Sequence, residues 1–439
     1  MSDPADKHYK TVDLIIPDLL GIFRGKRIDA DELPKVLDSG MTLPASVFAL
    51  DVNGDTVESS GLGYDHGDAD RLCLPVDGQL RSVPGSNKRA YMLMTMHEHD
   101  RSPFFADPRQ VLANTLSMFV KDTGLQPVVA VELEFYLLDP VRVADDQLQT
   151  PIAPGTGRRD QATQVYSLDD IDNYAEFLDD VRASCAEQGI PASAAVAEYA
   201  PAQFEINLHH QSDVQQACDN ALFLKRTIRE VAKAHGFLAT FMPKPFIESP
   251  GSGMHIHISL VDENGENIFT NETLLRHAVA GLLDSMRDAT LVSAPTVNAY
   301  RRLQPFMYAP TAPCWGFDNR STAIRIPSGE VASTRIEHRV AGADANPYLL
   351  LAVILGGIRN GLVSTLDAPD PVSGNAYEQF EYCWPISLDE AIKVFDQSGT
   401  VSSILGAKFC HVYSQCRQVD AALFRRALTR SEFDWYLGI

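Results

Sequence analysis

The segment over residues 127–138, PVVAVELEFYLL, limits the possible folds more than any other, because its centre, residues 131–135, alternates apolar and acidic residues. Successive side chains of a β-strand point to opposite faces. A strand here would place Val131, Leu133 and Phe135 on one face. It would place Glu132 and Glu134 on the other. The pattern predicts a strand with one buried face, whose second face is either merely solvated or part of a site.

Three further segments are predicted strands with chemically active side chains. Residues 203–209 contain Glu205 and Asn207. Residues 253–261 contain His255, His257 and Ser259, and residues 333–340 contain Arg335, Glu337 and Arg339. A single strand histidine is more often structural, but two on one face after a glycine-rich turn are equally consistent with a ligand role. The arginines beside Glu337 fit either a salt-bridge ladder or a metal ligand held between two anion-binding groups.

Five carboxylates and one histidine on or beside these strands are candidate metal ligands. They are Glu132, Glu134, Glu198, Glu205, Glu337 and His255. Such a group could gather in space only if cations neutralised it. Two divalent ions would supply +4 against the −5 of the carboxylates, and oxygen-dominated ligands suit Mg²⁺ or Mn²⁺.

A basic stretch within this acidic chain contains Arg302, Arg320 and Arg325. These arginines are either solvated surface residues or groups that bind phosphate and carboxylate. Together with two metal ions they would form an active site for phosphoryl transfer, a reaction in which cations stabilise the negative charge of the transition state.

Charge and cysteine usage exclude several classes of protein. The 439 residues carry a net charge of −21, from 37 Lys and Arg against 58 Asp and Glu, which argues against nucleic-acid and anionic-membrane partners. The 7 Cys are scattered without a C-x-x-C pair, and no basic and apolar leader opens the chain, so the sequence predicts a cytoplasmic protein. No P-loop or dinucleotide fingerprint is present, so any ATP must be held by metals and arginines.

The order of predicted elements indicates an α+β fold. The first hundred residues are strand-rich, and a turn-rich segment at 100–108 marks a boundary. We therefore expect a smaller domain over residues 1–103 and a larger one over 104–439. Helices are expected to begin at Asp107, Ser167 (ending at Gly189), Ser212 (with Gln215 as a capping box), Asn346 and Ser387.

Six segments, taken in order, resemble the glutamine synthetase superfamily. They read VELEF, EYAPAQFEIN, GSGMHIHIS, NAYRRLQP, NRSTAIRIP, and RIEHR followed by ANPY, between about residue 127 and 350. The resemblance implies an N-terminal β-grasp domain and a catalytic domain with a curved antiparallel sheet and flanking helices. It also implies a homo-oligomer, a dodecamer of two stacked hexameric rings, with active sites between neighbouring subunits.

The resemblance further implies a role for each site residue. One divalent cation would bind Glu134, Glu198 and Glu205, and a second would bind Glu132, His255 and Glu337. Glutamate would be bound by Arg302, Arg339, Gly251 and Gly253. Arg320 and Arg325 would face the transferring phosphoryl group, and His257, Ser259, Arg325 and Arg335 would line the ATP site.

Two departures from the family pattern concern the ammonium pocket. Glutamine synthetases carry a glutamate in the flap that closes this pocket, whereas the flap here, residues 305–310, has Tyr308 at that position. A phenol is neutral and a poor base at neutral pH. The family's ammonium-site aspartate is matched only by Asp51, in the loop 49–55. Tyr308 and Asp51 are the candidate catalytic groups of an altered amine pocket.

These departures resemble the γ-glutamylpolyamine and γ-glutamylputrescine synthetase branch. The resemblance implies an ATP-dependent ligase that joins the γ-carboxylate of glutamate to a primary amine, a polyamine, putrescine or a monoamine, through a γ-glutamyl phosphate intermediate. Two alternatives remain open at this stage. One is an ordinary glutamine synthetase that uses ammonia, and the other is a catalytically inactive, ring-forming structural or regulatory relative.

Overall fold

Two large curved sheets and fourteen helices make up the computed structural model, which describes residues 9–76, 79–143, 147–160, 162 and 164–439. The strands are β1 Thr11–Pro17, β2 Phe23–Asp29, β3 Met41–Pro44, β4 Asp70–Pro75, β5 Arg81–Ser82, β6 Arg89–His97, β7 Gln126–Leu138, β8 Ile152–Ala153, β9 Arg158–Arg159, β10 Ala192–Ala197, β11 Gln203–Leu208, β12 Leu238–Thr240, β13 Met254–Val261, β14 Trp315–Phe317, β15 Ile324–Ile326 and β16 Ile336–His338. The helices are α1 Leu33–Ser39, α2 Pro108–Thr123, α3 Leu168–Asp172, α4 Ala175–Glu187, α5 Val214–Ala234, α6 Glu272–Met286, α7 Thr290–Ser293, α8 Ala299–Arg302, α9 Pro347–Val363, α10 Ala376–Gln379, α11 Leu388–Gln397, α12 Gly399–Leu405, α13 Ala407–Arg426 and α14 Arg430–Tyr436.

The first sheet is formed by the N-terminal strands in the order β2-β1-β6-β4-β3, with β5 on β6. The central pair, β1 and β6, is parallel, and the remaining pairs are antiparallel. Helix α1 connects β2 to β3. Strand β6 ends at His97 and α2 begins at Pro108, and we propose residue 103, between them, as the domain boundary.

The second sheet has the order β10-β11-β7-β13-β16-β15-β14, with β12 on the far end of β7. All of its pairs are antiparallel except β14 with β15. Val131, Leu133 and Phe135 of β7 are fully buried, as the alternation predicts. The α+β fold class is confirmed, and the opposite face of this sheet is left for the polar side chains.

An apolar helix lies in the core, as predicted from Asn346-Pro347. In α9 the side chain of Asn346 accepts a hydrogen bond from the Tyr348 backbone N–H, 3.0 Å away, and most of the helix is fully buried. Proline in the first turn and an asparagine cap start this helix because both suit its unpaired N–H groups. Within the described residues, no helix combines the length and the apolarity needed to cross a membrane.

Three local predictions were wrong. The helix expected from Ser167 to Gly189 is broken into α3 and α4 at Tyr174, whose buried ring packs edge-on against Phe204. Helix α5 is capped by Asp213, not by Ser212, because the Asp213 carboxylate accepts from the Gln216 N–H at 3.0 Å.

The strand expected over 333–340 is also shorter. Only β16 pairs with its neighbours, because residues 331–333 form a 3₁₀ turn before it.

Candidate active site

The register of the second sheet gathers the predicted side chains on its polar face. Glu132 of β7 lies between Asn207 of β11 and His255 of β13, and Glu337 of β16 lies opposite His257. The Glu132 carboxylate is 3.3 Å from His255 Nδ1 and 2.9 Å from His257 Nε2. Burial opposes ionisation of Glu132, but the two histidines outweigh it and hold its pKa well below the usual value.

Glu337 is held between two arginines, although not by the pair that the sequence suggested. Arg325 donates to Glu337 Oε2 at 2.7 Å, and Arg339 donates to Oε1. Arg335 instead donates to His257 Nδ1 at 3.1 Å. Despite burial, the charges of Arg339 and the nearby histidines lower the pKa of Glu337 to about 2.

The second group of carboxylates, Glu134, Glu198 and Glu205, lies close enough for mutual repulsion. Burial, with the charge of Glu134 added, raises the pKa of Glu198 to about 8. Burial and the charges of Glu132, Glu134 and Glu198 raise the pKa of Glu205 well above its usual value. Raised carboxyl pKa values of this kind mark a site in which negative charge is in excess.

These donors fit divalent cations. In two groups the ligand atoms all lie within 4.8 Å of one another, namely Glu132 with His257 and Glu337, and Glu132 with Glu205 and His255. Both groups combine carboxylate oxygens with an imidazole nitrogen, a set suited to Mg²⁺ or Mn²⁺. The groups divide the ligands differently from the resemblance, because Glu132 is shared and His257 joins the ligand set.

Next to the carboxylates is a cavity of about 1010 Å³, large enough for a nucleotide. Three of the four predicted ATP-site residues, His257, Ser259 and Arg335, line it. The fourth, Arg325, is not among its lining residues and is bound to Glu337 and Asp318. The cavity wall also includes His209 and His210, which sequence reasoning missed. Their only sequence signal is that they directly follow the strand carrying Glu205 and Asn207.

Arg302 lies fully buried beneath the start of β13. Its guanidinium donates to the backbone oxygens of Val340 at 2.7 Å and Arg339 at 3.4 Å. A Cβ at Gly251 would lie 2.7 Å from Arg302 Cγ, and a Cβ at Gly253 would lie 2.7 Å from its Nη2. The two glycines therefore provide the space that this arginine occupies.

Arg339 retains capacity for an anion. Its Nε is buried and finds no hydrogen-bond partner among the described residues. A buried guanidinium nitrogen without a partner is costly unless a ligand completes its bonds. This observation fits the glutamate-binding role that the resemblance implies.

The flap places Tyr308 beside a residue that the sequence did not single out. The ring of Tyr308 stacks on that of Tyr199, which directly follows Glu198. Burial and the neighbouring tyrosines raise the pKa of Tyr308, so its phenol stays protonated at neutral pH. It can donate a hydrogen bond there, but it cannot act as a base.

Arg320 and Asp51 lie in different surroundings. Arg320 is exposed, and its positive charge lowers the pKa of Glu198, although burial and Glu134 raise that pKa by more. Asp51 accepts from the Asn53 and Asp55 N–H groups, both at 2.9 Å, and so closes its own loop. Within one chain, that loop contacts α13, where Asp420 accepts from the Val52 N–H at 2.7 Å. A direct role for Asp51 at the site stays a prediction.

Comparisons with known proteins agree with this geometry. The family described as "Glutamine synthetase, catalytic domain" matches residues 105–436. Gamma-glutamylputrescine synthetase PuuA of Escherichia coli (strain K12) is 46% identical over 97% of this chain and 91% of that protein. Glutamate–isopropylamine ligase of a Pseudomonas species is 31% identical over 100% of this chain and 97% of that protein.

The fold has a counterpart among solved structures. That of a GmaS/ADP complex has a TM-score of 0.84 and 24% identity, and covers 100% of both chains. The predicted glutamine synthetase-type fold is thereby confirmed. Given the matched catalytic domain and the relatives aligned over nearly its full length, the chain belongs to the glutamine synthetase family.

Proposed function

We propose that this chain is an ATP-dependent ligase that joins the γ-carboxylate of glutamate to an organic primary amine. Glutamine synthetase-type ligases use ATP and divalent metal ions. The observation that carries the proposal is the convergence of carboxylates, histidines and arginines on one face of the second sheet, beside a cavity of nucleotide size. The relatives that join glutamate to putrescine and isopropylamine support an organic amine as the acceptor.

The chemistry requires activation of a poor electrophile. An oxygen of the γ-carboxylate attacks the γ-phosphorus of ATP, the bond to the bridging oxygen breaks, and ADP leaves. The amine nitrogen then attacks the acyl carbon of γ-glutamyl phosphate. The bond from carbon to the phosphate oxygen breaks, the nitrogen loses a proton, and inorganic phosphate leaves.

The residues of this chain have distinct tasks in that sequence. Arg302 and Arg339 bind the carboxylates of glutamate, and Arg320 and Arg325 stabilise negative charge on the transferring phosphoryl group. Bound divalent ions would neutralise the phosphates and hold the γ-phosphoryl group in line. Glu132, Glu337 and the histidines orient that assembly.

The test is an amine panel. Purified protein with glutamate, ATP and Mg²⁺ or Mn²⁺ is assayed for ADP release and for the γ-glutamyl product by mass spectrometry, with putrescine, spermidine, isopropylamine and ammonia. We expect higher kcat/KM for one or more organic amines than for ammonia. Clear preference for ammonia would identify an ordinary glutamine synthetase. No turnover, together with no binding of Mn²⁺ or ATP, would identify an inactive relative. Glu337→Gln is the matched inactive control.

The finer properties are part of the same proposal. We propose two Mg²⁺ or Mn²⁺ ions per site, because two ligand groups share Glu132. We propose a dodecamer of two stacked hexameric rings, on the strength of the family fold. A cytoplasmic location is supported by the seven free cysteines, several of them fully buried, which suit a reducing compartment.

A further inference from the structure

A stacked pair of tyrosines lies at the edge of the carboxylate cluster. The ring centroids of Tyr199 and Tyr308 are 4.2 Å apart and their planes differ by 26°. Tyr199 is 41% exposed and Tyr308 is 48% exposed. Large aromatic side chains normally bury such surface, so an exposed stack offers ring area to a ligand.

The flap holds Tyr308 in this position through contacts on either side of it. The hydroxyl of Tyr377 donates to the Ala309 carbonyl oxygen at 3.0 Å, and its ring lies 5.2 Å from that of Phe306. The Trp384 indole N–H donates to the Pro310 carbonyl oxygen at 2.8 Å.

The backbone of the flap is constrained as well. Tyr308 has a φ of 58°, in the left-handed region that non-glycine residues rarely adopt. Strain of this kind persists only where the surrounding structure imposes it, and it concentrates at functional positions. These constraints hold the side chain of Tyr308 against the aromatic ring of Tyr199.

Tyr199 connects the pair to the carboxylate cluster, which consists of Glu132, Glu134, Glu198 and Glu205. It directly follows Glu198, and its backbone N–H is hydrogen-bonded to the Glu198 carboxylate. The pair therefore borders a region of excess negative charge. Aromatic faces attract cations, and an alkylammonium ion also buries its carbon chain against a ring.

We propose that Tyr199 and Tyr308 form an aromatic wall that binds the alkylammonium form of the acceptor amine and thereby selects organic amines over ammonia. The inference rests on the proposed function and names the residues that set its amine preference. Ammonium has no alkyl chain to place on a ring, so the wall favours the larger cation. Attraction to a ring face depends on the aromatic quadrupole and not on the phenol hydroxyl.

The experiment compares Tyr199→Phe with Tyr199→Leu. For each, kcat/KM is measured for putrescine and for ammonia, with glutamate and ATP saturating. We expect Tyr199→Leu to lower the ratio of the putrescine value to the ammonia value about tenfold, through KM for putrescine. Tyr199→Phe keeps the ring and should keep the ratio within about twofold. Tyr308→Leu should also lower the ratio. It replaces Tyr199→Leu as the test if Tyr199→Leu does not fold.

The outcomes separate this inference from the proposed function. If wild-type protein uses no organic amine, the proposed function fails. If wild-type protein uses putrescine but Tyr199→Leu and Tyr308→Leu leave the ratio unchanged, only the aromatic wall is overturned. A loss in Tyr199→Phe as large as that in Tyr199→Leu would also overturn it, because the hydroxyl would then be the determinant. Tyr436→Leu, at an exposed tyrosine on α14, is the matched control and should leave the ratio unchanged.

Discussion

The carboxylates of Glu198 and Glu205 show how single residues tie metal binding to stability. Without bound cations, the pKa of Glu198 is raised from 4.5 to about 8, and that of Glu205 is raised well above 4.5. A group whose folded-state pKa is raised contributes stability that is fully present below its unfolded pKa and is lost as pH rises through the folded value. Divalent cations can replace the lost protons, so they should matter most at the alkaline end.

We therefore expect the melting temperature in EDTA to fall, on account of these groups, as pH rises from about 5 to 8. Saturating Mn²⁺ should reverse the fall, and it should do so more strongly at pH 8 than at pH 6. Scanning calorimetry at several pH values measures both effects. Glu198→Gln removes one titrating group and should flatten the profile in EDTA. A profile that does not change in Glu198→Gln would contradict the assignment.

A second prediction at the residue scale concerns the space around Arg302. In Gly253→Ala the new Cβ would lie 2.7 Å from Arg302 Nη2 and 3.1 Å from His255 Nε2. The buried guanidinium must then move, and we expect KM for glutamate to rise about tenfold or more, since a misplacement of about 1 Å can cost up to about a hundredfold. Steady-state kinetics with varied glutamate measures this. In Gly399→Ala, where no atom lies within 4 Å of the new Cβ, KM should not change.

At the scale of elements, the strands that carry the site were predictable and their neighbours were not. Period-2 alternation gave β7 to within one residue and placed the correct faces of β7 and β13. It cannot tell which strands are adjacent, because pairing is a long-range choice. Hence the partner of Arg335, which is His257, and the position of Arg325 on Glu337 emerge only from the fold.

Local signals also failed where packing overrides them. The pattern from Ser167 to Gly189 is continuously helical, yet the buried ring of Tyr174 interrupts it. Tyr199 was missed for a related reason. In sequence it is a lone aromatic residue beside a turn, and it acquires significance only when the flap, more than 100 residues later, brings Tyr308 against it.

Helices α6 and α9 pack closely at Gly281, and this contact leads to a testable prediction. A Cβ at Gly281 would lie 2.1 Å from the Gly357 carbonyl oxygen and 2.5 Å from the Gly361 nitrogen. Both atoms belong to the backbone, so the two core helices would have to separate. We expect Gly281→Ala to destabilise the protein by about 3 kcal/mol or more. Thermal unfolding measures the effect, and Gly399→Ala, also on a helix but in open space, is its control. An unchanged melting temperature would refute the close approach of the two helices.

At the scale of the whole molecule, the position of Asp51 makes the proposed ring testable. In one chain its carboxylate closes its own loop, and that loop contacts α13. If neighbouring subunits share active sites, Asp51 would serve the cluster of the next subunit. The residue would then belong to a different site from the Glu337 of its own chain.

This arrangement predicts complementation between two inactive variants. Asp51→Asn keeps an acceptor oxygen for the loop but removes the charge, and Glu337→Gln removes a candidate metal ligand. In rings assembled at random from equal amounts of both chains, about one site in four combines an unmutated Asp51 from one subunit with an unmutated Glu337 from its neighbour. We expect about a quarter of the wild-type activity after co-expression, and close to none from either variant alone or from the two mixed after separate assembly. Co-expressed rings as inactive as the single variants would place each site within one chain. Full activity of Asp51→Asn alone would remove Asp51 from the chemistry.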